Sequence, residues 1–188
     1  TSQLSGPAQA AAREAAPGPA RPASARVLLV GDSVMLGASD ALRATFGAGA
    51  VIDARVGRRF RDGIEVAVAH LRRLPAGTPV VVHLGNNYFV RPGEVDELMR
   101  RVPAGHPVLL VTVRVPLDWQ DSVNTILRGA PARYRQATLV DWYAASGERG
   151  LLVDGAHTND RGSRLYARVL ADAVADASTD SDTSEGGT

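Results

Sequence analysis

A serine that follows the first apolar run of the chain has both the type and the position for chemistry. Ser33 completes the tripeptide Gly31-Asp32-Ser33, at the junction between that run and a stretch that predicts a helix. The first N–H groups of a helix and its positive dipole end stabilise negative charge beside a serine oxygen. Serine is also a preferred helix N-cap. The tripeptide alone therefore leaves two interpretations, a nucleophile and a cap.

A serine nucleophile needs a base within hydrogen-bond reach and a third group that orients the base. His157 is the candidate base, because it lies in Asp154-Gly155-Ala156-His157, after the last predicted strand and before the last helix. An Asp three residues before a His can fix the imidazole tautomer and stabilise its protonated form. A loop hydrogen bond or one arm of a metal site would show the same pattern. The remaining histidines favour structural roles in a helix, a strand and a turn: His70, His83 and His106.

Two further segments offer hydrogen-bond donors just after predicted strands. Gly57 follows the second apolar run, and Asn87 ends the tripeptide Gly85-Asn86-Asn87 after the third. A glycine N–H, an Asn amide and the N–H of Ser33 are donors of the kind that hold a developing oxyanion. Considered singly, Gly57 is a turn glycine and Asn87 a turn former.

The pattern of apolar residues predicts the elements that position these segments. Five short runs rich in Val, Leu and Ile cover residues 25–31, 51–55, 79–85, 107–114 and 137–142. Four are near-continuous, as in parallel strands covered on both faces, and the second is weaker, as at an edge. Amphipathic stretches predict helices over 33–46, 61–74, 93–102, 118–127 and 160–175. Right-handed crossovers then predict an α/β fold, a three-layer α/β/α sandwich with a five-stranded parallel sheet and its ligand site at the carboxyl ends of the strands.

Composition and charge restrict the classes of function. The chain has 188 residues, which fits one domain, and its 21 basic residues, all of them Arg, nearly balance 20 acidic ones. A net charge of +1 gives no nucleic-acid footprint. The absence of Cys excludes disulfides, thiolate nucleophiles and cysteine metal sites. We expect neither a cofactor nor a metal, because Asp154 and His157 lack clustered partner ligands in the sequence.

The two ends differ in composition from the predicted folded body, residues 25–177. Residues 1–24 are rich in Ala and Pro with almost no large apolar side chains, and predict a disordered linker. Residues 178–188 are acidic and small, and predict a disordered tail. No run approaches the ~18 apolar residues that span a bilayer. The sequence starts at Thr1, with neither an initiator Met nor the pattern of a signal peptide. We therefore expect a soluble fragment or a processed form.

Taken together, the segments resemble the four blocks of the SGNH, or GDSL-type, hydrolase superfamily. Gly-Asp-Ser, Gly57, Gly-x-Asn and Asp-x-x-His occur in that order across nearly the whole body. Within the superfamily, GDSVMLGA, VVVHLGNN and DGAHTNDRGSRLYA resemble the extracytoplasmic SGNH domain of bacterial membrane acyltransferases, of the peptidoglycan O-acetyltransferase type. The resemblance implies a flavodoxin-like SGNH hydrolase fold.

The resemblance also implies a role for each residue of the site. Ser33 is the expected nucleophile, His157 the general base and acid, and Asp154 the residue that orients it. Gly57 and Asn87 would form the oxyanion hole with the Ser33 amide. This sequence departs from the broader family pattern at Tyr88, which replaces an acidic residue often found there.

The function we expect is acyl transfer through an acyl-enzyme, as an O-acetyltransferase or acetylesterase acting on a cell-envelope polysaccharide such as peptidoglycan. The partners would be an acyl donor, that polysaccharide and an upstream membrane acyltransferase domain, at the extracellular or cell-envelope face of the membrane. One alternative is a stand-alone secreted GDSL-type esterase or lipase. Another is a catalytically silent glycan-binding module. Hydrolysis and transfer need the same base, so the acceptor stays open.

Other polar residues near the predicted site favour plainer interpretations. Trp119 and Arg114 follow the fourth strand and could form a substrate wall and an anion contact, but packing of a helix start and pairing with a carboxylate are the simpler roles. An Arg cluster could face an anionic glycan, although we favour a solvated edge: Arg55, Arg58, Arg59 and Arg61.

Overall fold

Five apolar segments form one parallel sheet. The strands are β1 (Val27–Gly31), β2 (Ala50–Ala54), β3 (Val80–His83), β4 (Val108–Val111) and β5 (Ala137–Val140), in the order β2-β1-β3-β4-β5. Every neighbouring pair is parallel. The computed structural model describes residues 26–184, so the linker predicted over 1–24 and the last residues, 185–188, lie outside it. The predicted fold class is confirmed, and the weaker second run is an edge strand.

Helices cover both faces of the sheet. They are α1 (Ser33–Gly37), α2 (Ser39–Phe46), α3 (Phe60–Leu71), α4 (Pro92–Arg101), α5 (Gln120–Arg128), α6 (Trp142–Ala145) and α7 (Asp160–Ser184). Side chains alternate along β1, so Leu28 and Val30 pack with α3, α4 and α5, while Val27 and Leu29 pack with α1, α2 and α7. Within residues 26–184 no helix has the length and apolarity that a membrane crossing requires.

Most element boundaries differ from the sequence prediction by a few residues, and three differences change the helices themselves. The helix predicted over 33–46 is two helices that meet at Ala38, and α6 occupies the end of the fifth predicted strand. Helix α7 continues to Ser184, so the tail predicted from residue 178 begins inside a helix. The hydroxyls of Ser178 and Thr179 donate to the carbonyls of Val174 and Asp176, each over 2.8 Å. Polar residues whose side chains bond to the preceding turn need not end a helix.

Two titratable side chains are buried together below the carboxyl edge of the sheet. His83 ends β3 and its Nδ1 lies 2.7 Å from the hydroxyl of Tyr166, on α7. Both side chains are fully buried. Burial lowers the pKa of His83 to about 3, because desolvation opposes the charged imidazolium. Burial also raises the pKa of Tyr166, so both groups are neutral at physiological pH.

This burial predicts an acid-sensitive term in stability. In the unfolded chain His83 takes up a proton near pH ~6.5, whereas in the folded protein it does so only near pH 3. The free energy of unfolding should therefore fall as the pH is lowered through that interval. The decrease should be smaller in His83→Gln than in the wild type. Urea unfolding at neutral pH and at about pH 4.5 measures the difference. Tyr166→Phe, which keeps the imidazole buried, should retain the acid-side loss, and equal losses in wild type and His83→Gln would contradict the prediction.

Candidate active site

Ser33 is the first residue of α1, directly beyond the carboxyl end of the central part of the sheet. The N-cap of α1 is Asp32, whose side chain accepts a hydrogen bond of 3.1 Å from the N–H of Val34. The interpretation of Ser33 as a helix cap is therefore wrong. Because Asp32 performs that role, the Ser33 hydroxyl can contact another group without cost to the helix.

That group is the imidazole of His157. Its Nε2 lies 2.9 Å from the Oγ of Ser33, and its Nδ1 lies 2.8 Å from Oδ2 of Asp154. A carboxylate accepts only, so in the neutral imidazole the proton is on Nδ1 and Nε2 presents its lone pair to the serine. The structure thus brings together the three residues predicted as nucleophile, base and orienting acid, in the geometry that serine activation requires. Their catalytic roles remain predictions.

The loop that carries Asp154 holds its carboxylate by backbone as well as side-chain contacts. Oδ1 accepts from the N–H of His157 at 2.8 Å and from that of Ala156 at 3.0 Å. These bonds, with the one to the imidazole, hold the pKa of Asp154 well below its ordinary value. Gly155 has a φ of +86°, a conformation that favours glycine. Asp154 is therefore ionised and fixed although its side chain is 55% exposed.

The residues predicted for the oxyanion hole lie in the loops that follow β2 and β3, the two strands that flank β1. Gly57, with a φ of +70°, connects β2 to α3, and Asn87 lies between β3 and α4. The Nδ2 of Asn87 is buried and has no hydrogen-bond partner among the described residues. It lies close enough to Asp32 to lower the pKa of that carboxyl, but outside hydrogen-bond geometry. The structure thus places both predicted donors in loops beside β1, and their role toward an oxyanion stays a prediction.

A buried contact between Asp32 and Asn86 links the segment that carries Ser33 to the loop that carries Asn87. Both side chains are buried, and Nδ2 of Asn86 donates to the two carboxylate oxygens of Asp32 at 3.2 and 3.0 Å. Burial raises the pKa of Asp32, although the bonds from Asn86 and from the Val34 N–H oppose it. This contact fixes the Asn87 loop relative to Ser33. Sequence analysis missed it, and the only available signal was the presence of polar residues directly after two apolar strands.

Arg58 corrects the prediction of a uniformly solvated Arg-rich edge. Its side chain is buried, and its guanidinium donates to the carbonyls of Gly31 and Asp53 and to the Asp53 carboxylate. The other oxygen of that carboxylate lies 2.9 Å from Nε2 of His70. Gly31 precedes Asp32 at the end of β1, so Arg58 ties the Gly57 loop to the strand that leads to Ser33. Arg55, Arg59 and Arg61 are exposed, as predicted.

Loss of the Arg58 hydrogen bonds should affect both stability and turnover. Arg58→Gln leaves buried acceptors without their cation, which should lower the free energy of unfolding by about 3 kcal/mol. Displacement of the Gly57 loop should lower kcat by about tenfold, with a smaller change in KM, because misplaced donors weaken transition-state stabilisation first. Arg55→Gln, in the same loop but exposed, is the control. Wild-type stability and kcat in Arg58→Gln would show that the Arg58 hydrogen bonds do not position the Gly57 loop.

Trp119 and Arg114 have structural contacts. Trp119 precedes α5 and its Nε1 donates to the carbonyl of Gly85 at 3.2 Å, so it packs a helix start as predicted. Arg114 was expected to pair with a carboxylate. Instead it donates to the carbonyl of Tyr143 and, at 2.9 Å, to the hydroxyl of Ser146, with its guanidinium 4.2 Å from the Tyr143 ring centroid. The Tyr143 carbonyl and the Ser146 hydroxyl therefore accept the N–H groups that were expected to meet a carboxylate.

Several large apolar side chains are exposed in the segments that follow the strands. Six large hydrophobic side chains are exposed among residues 26–179: Leu36, Val56, Tyr88, Phe89, Leu117 and Val153. Leu36 lies in the short helix α1, Val153 in the α6–α7 loop, and the other four in the loops that follow β2, β3 and β4. No group of three potential metal ligands occurs in the described part of the chain.

Known proteins resemble the chain in sequence and in fold. No protein-family model matches it. It is 30% identical over 147 residues to the peptidoglycan O-acetyltransferase OatA of Listeria monocytogenes, covering 77% of this chain and 23% of that protein. The C-terminal catalytic domain of Streptococcus pneumoniae OatA, solved with a methylsulfonyl adduct, matches with a TM-score of 0.69 at 25% identity, over 82% of this chain and 94% of that one. A GDSL-like lipase from Bacteroides thetaiotaomicron shares the fold, with a TM-score of 0.64 at 17% identity over 82% of this chain and 89% of that one.

Proposed function

This chain belongs to the SGNH, or GDSL-type, hydrolase superfamily, and we propose on that basis that it transfers an acetyl group through Ser33 to a hydroxyl of a cell-envelope polysaccharide such as peptidoglycan. The observation that carries the proposal is the continuous contact from the Ser33 Oγ through both nitrogens of His157 to Asp154, over 2.9 and 2.8 Å. A nucleophile, a base and an orienting acid in such contact suit acyl transfer.

The first half-reaction forms the acyl-enzyme. The Oγ of Ser33 attacks the carbonyl carbon of the acetyl donor while Nε2 of His157 takes the hydroxyl proton. The N–H groups of Ser33 and Gly57 and the amide of Asn87 hold the resulting oxyanion. The intermediate collapses, the leaving group takes the proton from His157, and the acetyl group stays on Ser33. Asp154 stabilises the imidazolium while it carries the proton.

The second half-reaction repeats these steps with a new nucleophile. His157 takes a proton from an acceptor hydroxyl, whose oxygen attacks the acetyl carbon, and returns that proton to the Ser33 Oγ as the ester bond to serine breaks. A sugar hydroxyl gives an acetylated glycan, and water gives free acetate. The side chain of His157 is 46% exposed, so water reaches the site and some hydrolysis accompanies transfer.

The setting of the domain is also part of the proposal. The chain spans 23% of the length of the Listeria relative, which supports a catalytic domain within a larger protein. An upstream membrane acyltransferase domain would deliver the acetyl group, and the polysaccharide would be met at the extracellular face of the membrane.

Product analysis tests the function directly. The chain is incubated with an activated acetyl ester and cell-wall oligosaccharides, and the products are weighed by mass spectrometry. Acetylated oligosaccharide that forms with the wild type and not with Ser33→Ala is the expected result. Free acetate alone, with every acceptor, would contradict transfer and favour the secreted esterase. Saccharide binding without either product would favour the silent module.

A further inference from the structure

An open, shallow groove lies beside the two loops that carry Gly57 and Asn87. It lies between the starts of α3 and α4, and we call it the Arg–aromatic groove. Its lining includes Arg59, Arg61, Tyr88, Phe89, Arg91 and Glu94. None of these residues has a part in the proposed chemistry of Ser33. Arg59 and Tyr88 are nevertheless within two residues of the predicted oxyanion donors along the chain.

The groove carries net positive charge. Three exposed guanidinium groups face a single carboxylate, that of Glu94, whose side chain is only 15% exposed. One oxygen of Glu94 accepts from the N–H of Arg91 at 3.0 Å, and the other lies 3.7 Å from Arg61. Helices α3 and α4 both begin here, and their positive dipole ends add to the field. An anionic ligand group is therefore favoured.

Aromatic rings hold two of the three guanidinium groups. Arg59 lies 4.3 Å from the ring centroid of Tyr88, and Arg91 lies 5.5 Å from that of Phe89. Stacking fixes the plane of a guanidinium while its N–H edge stays free for a carboxylate or phosphate. Tyr88 and Phe89 are 45% and 56% exposed, so each ring also offers apolar surface. Rings of this kind pack against the C–H face of a sugar.

The groove and the catalytic base approach Ser33 from opposite faces of the sheet. Helices α3 and α4 pack on the face that includes Leu28 and Val30, whereas α7, which follows His157, packs on the face that includes Val27 and Leu29. The groove is lined by residues of the same two loops that carry the predicted oxyanion donors Gly57 and Asn87. A polymer seated in the groove would thus present a neighbouring unit to the acyl-enzyme without blocking the imidazole.

We infer that the Arg–aromatic groove binds a saccharide unit that bears an anionic group, a carboxylate or a phosphate, next to the unit that receives the acetyl group. The inference rests on the proposed function for the identity of the polymer as an acceptor. A nucleic acid fits less well, because a net charge of +1 provides no extended basic surface. The groove would then select glycans by charge at a distance from the reacting hydroxyl.

Binding to Ser33→Ala separates this inference from catalysis. Three sugars with a common ring serve as probes in calorimetric or NMR titration: neutral N-acetylglucosamine, N-acetylmuramic acid with its carboxylate, and N-acetylglucosamine 6-phosphate. At least one anionic sugar should bind about tenfold more tightly than the neutral one, and the preferred one identifies the source of the charge. Added salt should weaken that binding. Equal binding of all three sugars would overturn the inference.

Substitutions then locate the site. Arg59→Gln with Arg91→Gln should weaken binding of the anionic sugar about tenfold or more and leave binding of the neutral sugar unchanged. Arg73→Gln, an exposed arginine just beyond the other end of α3, is the matched control. Unchanged affinity for the anionic sugar in the double variant would overturn the inference that the groove is its binding site. Turnover of a small acetyl ester by protein with Ser33 intact reports separately on the Ser33 site. Failure of the proposed function would appear as absent turnover in that assay and would not change the sugar titrations.

Discussion

Replacement of Ser33 by alanine should lower kcat for a small activated acetyl ester by about 10⁴-fold or more, because no acyl-enzyme can form without the Oγ. The fold should be unaffected, since Asp32 and not Ser33 caps α1. Circular dichroism and the urea unfolding midpoint should match those of the wild type. Ser39→Ala, at the first position of α2, is the control and should retain full turnover.

Covalent trapping gives the same prediction a second measurement. Methanesulfonyl fluoride should add one methylsulfonyl group to the wild type, and peptide mapping should place it on Ser33. Ser33→Ala should remain unmodified. Turnover of the wild-type order in Ser33→Ala, or a modification on another residue, would show that Ser33 is not the nucleophile.

Asp154→Asn should produce the second largest loss, about 10²- to 10⁴-fold in kcat with a smaller change in KM. The Asn Oδ1 can still accept from the N–H groups of Ala156 and His157, so the loop should keep its shape. Its Nδ2, however, would donate toward Nδ1 of the imidazole, which is now the proton carrier. The imidazole would move its proton to Nε2, which then faces Ser33 as a donor and cannot act as a base.

The control for this loss of charge is Asp118→Asn, an exposed carboxylate in the β4–α5 loop at the same edge of the sheet. It should keep wild-type kcat if orientation of the imidazole, and not the general field at this edge, is the cause. A loss in Asp154→Asn no larger than that in Asp118→Asn would contradict an orienting role for Asp154. Equal unfolding midpoints of the two variants show that the comparison is between folded proteins.

The architecture could be predicted because its causes are local. Near-continuous Val and Leu runs at β1, β3 and β4 become fully buried strands, and the weaker second run becomes the half-buried edge strand β2. Helix boundaries were less accurate. Ala38 divides one predicted helix, and α7 continues to Ser184, where composition indicated a tail.

The candidate site could be predicted as a set of residues but not as a set of contacts. The sequence by itself determined that Ser33, Asp154 and His157 follow strands of one parallel sheet, whose carboxyl ends share an edge. Only the tertiary structure decided that Asp32 caps α1 and that the Asn86 side chain, beyond the neighbouring strand β3, donates to the Asp32 carboxylate.

The same limit applies to the arginines and to the serine itself. Local sequence does not distinguish Arg58 from Arg59, yet the first is buried against Gly31 and the second stacks on Tyr88 at the surface. The Ser33–His157 contact joins residues 124 positions apart. Burial and pairing over such separations depend on the packing of the whole domain around each side chain. The sequence determined which groups are available at the edge of the sheet, and the packing decided which of them meet.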